Sequence, residues 1–307
     1  MSRVAIIGCG VVGSSWTLVF ARAGHDVVVH DPSPEAAEAA VAFVRGSLAG
    51  TPEAEAILAR IATAASLEEA VAGADYVQES APERLPIKQA LYARLDTLVP
   101  PQVVIGSSTS GLPASSFTES LATRARCLVV HPINPPHLIP LVELVPAPWT
   151  AAEAVEFAGA LMTAVGQEPI RLSREINGFV VNRLQSALLG EAFRLVEDGI
   201  VSAAEVDKAV ADGLGLRWFF MGPFETIDLN AATGVAEYCR NLGPMYHGLA
   251  REQADPRPWS APLVAAIERE RRAAVPGERL PERRLWRDRW LAALVAAKAQ
   301  IRREFGR

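Results

Sequence analysis

The stretch "RVAIIGCGVVGSSWTLVFARAGHDVVVHD", residues 3–31, constrains the fold more than any other part of the chain. A short apolar strand runs straight into Gly8, Gly10 and Gly13, and a helical pattern follows without a break. A second β-branched run then ends on Asp31. Gly8 permits a tight turn, Gly10 lets a ligand approach the backbone, and Gly13 lets the helix pack closely on a strand. The first N–H groups of that helix, at Val11 and Val12, are placed to meet a phosphate. Such spacing arises by chance in glycine-rich chains, so its position between strand and helix is what gives it weight. A carboxylate closing the second strand accepts hydrogen bonds from an adenosine ribose and repels a 2′-phosphate. Asp31 therefore points to NAD over NADP. A flavin nucleotide and an unliganded glycine turn are the other readings.

Beyond this unit, "DYVQES", "VVIGSS", "CLVVH", "LVELV" and "EPIRL" read as further strands,. Helical patterns lie between strands at 12–23, 34–48, 84–97 and 151–164, the last with Thr150 and Glu153 as a capping box and Gly166 as its stop,. Alternation of this kind predicts an α/β fold, a parallel sheet covered on both faces. After about residue 174 the strand signal stops, and 177–198, 202–211, 222–240, 259–273 and 282–304 suit helices. The expected organisation is a nucleotide-binding Rossmann-type domain over 1–174 and an all-helical domain over 175–307.

With half its residues apolar, the chain has material for a sizeable core, and a net charge of −5 gives no support for nucleic-acid or anionic-membrane partners,. Cys9, Cys127 and Cys239 are far apart, without metal-ligand spacing, which suits a reducing compartment,. "MSRVAIIG" enters a strand almost at once, and no apolar run is long enough for a bilayer, so a cytoplasmic location is expected,.

The chemistry concentrates in "CLVVHPINPPHLIPLVELV", residues 127–145. His131 closes an apolar strand at the edge where open α/β sheets bind ligands. Alone, it reads as easily as a core histidine. Glu143, in the middle of the next strand, is costly to bury without a partner. Paired, the two explain each other, as an imidazole base with the carboxylate that orients it. "SSTS", Ser107 to Ser110, follows another strand and offers hydroxyls for a substrate oxygen or for a turn,. Asn182 follows an apolar run; a buried Asn must be hydrogen-bonded, to a packing partner or to a reacting oxygen.

The pieces "GCGVVG", "STSGLP", "HPINPP", "LVELV", "INGFVVNRL" and "GPFE" run in order across nearly the whole chain. Together they resemble the 3-hydroxyacyl-CoA dehydrogenase superfamily, in which an NAD-binding Rossmann domain precedes a helical dimerisation domain. Within it, "HPINPPHLIPLVELVP", "DGLGLRWFFMGPFET" and "RRLWRDRWL" are most similar to the L-gulonate 3-dehydrogenase group, which includes lambda-crystallin. The resemblance implies His131 and Glu143 as catalytic dyad, Ser110 and Asn182 as contacts to the substrate oxygen, and Asn134 as a further residue lining the site. It also implies Asp31, Glu79 and Ser108 on the cofactor side, with Glu79 near the nicotinamide ribose, and a homodimer formed through the helical domain.

The chain departs from acyl-CoA members in the segment after the second strand, where residues 32–62 hold only Arg45 and Arg60 against Glu35, Glu38, Glu53 and Glu55. An acidic arm repels a CoA diphosphate, which disfavours a thioester. Arg217, in "GLGLRWFF", fits a small carboxylate bidentately or a structural salt bridge. The expected reaction is NAD-dependent oxidation of a small 3-hydroxy acid at C3, with L-gulonate first. A carnitine-type enzyme using Trp218, Phe219 and Phe220 as a cation cage, a short-chain hydroxyacyl-CoA dehydrogenase and a catalytically silent NAD-binding protein remain as alternatives.

Overall fold

The structure is a computed structural model and describes residues 2–306. Eight strands form one sheet: β1 (Arg3–Ile7), β2 (Asp26–His30), β3 (Ile61–Thr63), β4 (Tyr76–Glu79), β5 (Val104–Ser107), β6 (Cys127–Pro132), β7 (Leu141–Pro146) and β8 (Glu168–Arg171). Their order is β3-β2-β1-β4-β5-β6-β7-β8. All neighbours run parallel except β6 and β7, which are antiparallel. The sheet is thus mixed where a parallel one was expected, and β3 is an additional edge strand whose three residues are too few to show a period,.

The central strands are apolar on both sides because both faces are covered. Val4 and Ile6 of β1 join one core with Trp16, Phe20, Tyr76 and Met162. Ala5 and Ile7 point the other way, to a core with Tyr92, Leu95, Ile105 and Phe117. This is the two-residue period of a strand. Each large side chain removed from water contributes about 1.5–3 kcal/mol.

The covering helices are α1 (Val11–Arg22), α2 (Pro34–Ser47), α3 (Ala54–Leu58), α4 (Leu67–Val71), α5 (Leu85–Leu98), α6 (Ser115–Thr118) and α7 (Ala152–Ala164). Ser33 caps α2 by accepting from Ala36 N–H, with Pro34 at the first helical position,. The capping box expected at Thr150 is not made. Its hydroxyl instead donates to the Cys127 carbonyl and accepts from Ala147 N–H, tying β6 to the chain leaving β7.

The chain divides into two compact units, one ending at Arg183 and the other starting at Leu184. That division falls beyond the expected 174/175 for a physical reason. Phe179 is buried in the sheet unit's core, and Val180 and Val181 hydrogen-bond into the sheet.

Helix α8 (Val181–Glu197) begins in the first unit and runs on into the second, which is helical: α9 (Ala203–Lys208), α10 (Gly215–Trp218), α11 (Pro223–Leu229), α12 (Val235–Glu252), α13 (Ala261–Ala274) and α14 (Leu280–Phe305). A π-helical segment, Ala209–Leu214, joins α9 to α10. The single helix expected over 222–240 is broken between α11 and α12, where Gly234 adopts φ +89° and Asp228 accepts from Val235 N–H. Polar clasps hold this unit: Arg194 donates to the carbonyls of Glu252, Gln253 and Asp255, and Glu270 accepts from Ala203 and Ala204 N–H. Among its described residues only Thr226 and Leu263 are buried. No helix among the described residues is long and apolar enough to cross a membrane.

Candidate active site

The glycine turn is built as its spacing predicts. Gly8 has φ +97°, and a Cβ there would lie 2.6 Å from the Ser80 backbone. A Cβ on Gly13 would lie 1.8 Å from the Gly8 carbonyl oxygen. Around Gly10, by contrast, a Cβ would meet nothing within 4 Å, which leaves open space beside the backbone. Helix α1 starts here without a side-chain cap, so the N–H groups at Val11 and Val12 open toward that space,. Asp31 accepts from Cys9 N–H at 2.9 Å and from Ser33 N–H at 3.0 Å, which fixes its carboxylate beside the turn. A cavity of about 380 Å³ adjoins it, lined by Gly8, Asp31, Leu67, Pro82, Ile87 and Leu91 among others. A pyrophosphate at the turn, a ribose on Asp31 and an adenine among these apolar side chains fit the residues present.

Glu79 departs from the expected ribose contact. It is fully buried at the end of β4, where its carboxylate accepts from Lys88 Nζ at 2.8 and 2.9 Å, Ser107 Oγ at 2.5 Å and Ala81 N–H at 2.7 Å. Those partners leave it no surface for a ligand. Lys88, itself buried on α5, went unnoticed in the sequence, because a lysine in a helical pattern reads as solvated,. Ser108 also differs: its hydroxyl receives Trp16 Nε1 at 3.1 Å and Gln78 Nε2 at 2.7 Å, and bonds Ser80 Oγ at 2.9 Å. One donor and two acceptor positions are then filled within the protein.

The antiparallel register sets His131 directly opposite Glu143. Directly opposed residues carry their side chains on one face of the sheet. The imidazole Nδ1 lies 2.7 Å from Glu143 Oε2, and both residues are buried. The other oxygen, Oε1, accepts from Val180 N–H at 2.7 Å and Val181 N–H at 3.1 Å. Burial pushes the Glu143 carboxyl up, but the bonds from His131, Val180 and Val181 outweigh it and hold it below its ordinary value,. Phe179 packs on the imidazole with ring centroids 5.5 Å apart and holds a left-handed backbone, φ +50°.

Asn182 donates from Nδ2 to the Ser110 carbonyl oxygen at 2.7 Å, so these two predicted residues do meet. The contact uses the Ser110 main chain and leaves its hydroxyl out. Glu83 anchors the same loop, with Oε1 accepting from Thr109 Oγ1 at 2.5 Å and Gly111 N–H at 3.0 Å. Nothing in the sequence distinguished Glu83 from a solvated acid. Asn134 is exposed on the loop after β6, joined to Pro135 by a cis peptide. Arg217 belongs to the helical unit, exposed on α10.

A paired imidazole, an amide on the neighbouring loop and a dinucleotide cradle make a constellation suited to hydride transfer from an alcohol,. The sequence profile described as "3-hydroxyacyl-CoA dehydrogenase, NAD binding domain" matches residues 3–176, and "3-hydroxyacyl-CoA dehydrogenase, C-terminal domain" matches 178–274. The chain belongs to the 3-hydroxyacyl-CoA dehydrogenase family. Its cofactor is NAD, and the family is one of NAD-dependent oxidoreductases. Similar members include lambda-crystallin of Oryctolagus cuniculus, 40% identical with 97% of each chain covered. L-carnitine dehydrogenase of Streptomyces griseus is 43% identical over 79% of this chain and 74% of its own. Among solved structures, 5-formyl-3-hydroxy-2-methylpyridine 4-carboxylic acid 5-dehydrogenase, an NAD+ dependent dismutase, has a TM-score of 0.82 at 26% identity, covering 97% of this chain and 99% of its own.

Proposed function

We propose that this protein oxidises the 3-hydroxyl of a small hydroxy acid to the 3-keto acid with NAD, with L-gulonate as the first substrate to test. The observation that carries the reading is the buried His131–Glu143 pair at 2.7 Å. With Nδ1 committed to the carboxylate, Nε2 is the nitrogen that takes the alcohol proton. NAD, when bound, supplies the hydride acceptor. Asn182 and Ser110 hold the substrate oxygen, and Glu143 keeps the tautomer and stabilises the imidazolium that forms. Asn134 lines the site.

The segment after β2 supports a small acid over a thioester. Its two bases, Arg45 and Arg60, lie 4.0 and 3.9 Å from the carboxylates of Glu55 and Asp26, and an acidic segment of this kind repels CoA phosphates,. The carnitine-type alternative draws on the L-carnitine dehydrogenase relative. Against a cation cage on the helical unit, Lys298 Nζ already lies over the Phe219 ring, 5.1 Å from its centroid. The protein works as a homodimer through the helical unit, whose described residues leave Phe224, Leu229, Trp290 and Phe305 exposed,. Its three free cysteines accord with a cytoplasmic location,.

A panel of L-gulonate, L-carnitine, 3-hydroxybutyrate and 3-hydroxybutyryl-CoA with NAD, followed by NADH absorbance, tests the reading. Activity on the free acids is expected, and His131→Gln should lower kcat by about a thousandfold while NADH still binds. Activity on the thioester alone, or tight NADH binding without any turnover, would overturn it.

A further inference from the structure

Helix α8 follows the turn over Asn177–Val180 and begins at Val181. Helix starts leave several N–H groups unsatisfied, and a buried one needs a partner. Here the partner comes from a strand: Glu143 Oε1 receives both Val180 and Val181 N–H, while Oε2 holds His131. Phe179 turns the chain toward that oxygen with its left-handed backbone, a conformation rare for a bulky residue, and its side chain is buried against the imidazole,. The next residue in the helix is Asn182, whose Nδ2 gives one hydrogen to Ser110 O. That leaves Asn182 a second N–H and its Oδ1 for a substrate oxygen.

We propose that Glu143 positions Asn182, the residue that grips the substrate oxygen, through the backbone of Val180 and Val181, in addition to orienting His131. One buried carboxylate thereby fixes the distance between the base and the grip. This rests on the reading of His131 and Asn182 as base and grip. Leucine removes both acceptors at similar volume, whereas glutamine can keep its carbonyl on the two N–H groups while its NH2 donates to Nδ1 of the other imidazole tautomer.

The experiment uses the full chain with NAD and the hydroxy acid on which it is most active, NADH binding checking that each variant folds. Glu143→Leu should lower kcat and also raise KM for the acid by about fivefold to tenfold, leaving KM for NAD unchanged. Asn182→Ala should raise the same KM, and the double variant should exceed Asn182→Ala by no more than about twofold, since both remove one contact. Val181→Pro deletes one donor and leaves the dyad, at the first position of the helix, where proline is tolerated,. It should raise KM without moving the pH profile of kcat. Amide hydrogen exchange at Val181 should accelerate at least about tenfold in Glu143→Leu, with or without substrate. KM effects that multiply, a Glu143→Leu change confined to kcat, or unaltered exchange at Val181 would each overturn the proposal. Failure of the functional reading looks different: the wild-type chain turns over none of the free acids, and the exchange measurement still decides the role of Glu143.

Discussion

Trp16 on α1 has no exposed surface, whereas Trp286 and Trp290 on α14 are 43% and 55% exposed. The same contrast runs through the two units. The sheet unit hides Trp16, Phe20, Tyr76 and Tyr92 in cores on both its faces, and even its buried charges are paired. In the helical unit α8, α12 and α14 have no buried residue, and their contacts are salt bridges, carbonyl clasps and ring stacking such as Phe193 on Trp259 at 4.1 Å. Ordering a residue costs about 1–2 kcal/mol of backbone entropy, which must be offset by burial. A sheet with two covered faces meets that requirement within one chain. A helical unit with so little buried surface meets it, in the proposed homodimer, by burying apolar faces against a second copy. The contrast therefore teaches where each half finds its stability, and it can be tested on each side.

The largest effect is expected inside the sheet unit. Lys88→Met leaves the Glu79 carboxylate fully buried without its cation, at a cost of about 3–5 kcal/mol. Thermal scanning should show the transition falling steeply, with much of the loss recovered in Lys88→Met/Glu79→Gln. Sedimentation should show oligomeric state unaffected below the transition. A mild effect of Lys88→Met would mean that the sheet unit does not depend on its own interior as described.

On the helical side, Trp286, Trp290 and Leu294 recur every four residues along α14, with Ile301 and Phe305 continuing the row,. Trp290→Glu places a charge in that row and should weaken self-association by about 2 kcal/mol, roughly thirtyfold in dissociation constant. Analytical ultracentrifugation across a dilution series reads this directly. NADH affinity, which belongs to the sheet unit, should not change. A wild-type chain that stays monomeric at micromolar concentration would break the comparison outright.

What could be read from the sequence divides along the same line. Strand period, the glycine turn and the strand–helix alternation are properties of neighbouring residues, so seven of the eight strands were legible before any coordinates. His131 and Glu143 stood out because each interrupts an apolar strand, and the cross-strand register then made them partners. Glu79 and Lys88 gave no such signal: one closes a strand that already ends in polar residues, the other sits in an ordinary amphipathic helix. Their pairing depends on how β4 meets α5. The cap on α8 was hidden for the same reason, since its carboxylate lies far away in the sequence. The expected cap at Thr150 failed because its hydroxyl found backbone partners in Cys127 and Ala147.

The smallest predicted effect concerns the residue that ties the sheet to α8. The Glu143 carboxyl is held below its ordinary value of 4.5 because the bonds from His131, Val180 and Val181 outweigh the upward push of burial. In the unfolded chain no such bonds exist, so on acidification the unfolded state takes up the proton first. Stability from this group is fully present above the ordinary value and is lost as pH falls through the lowered one. Glutamine does not titrate, so the difference in melting temperature between wild type and Glu143→Gln isolates the group from other carboxylates, such as Asp96, that also hold lowered values. That difference should shrink as pH falls below about 4.5,. Because Glu143 lies in the sheet unit, the shrinkage should be the same at concentrations above and below dimer dissociation. Parallel melting curves at every pH would remove Glu143 from the account of stability, and a strong concentration dependence would move its effect to the interface between copies.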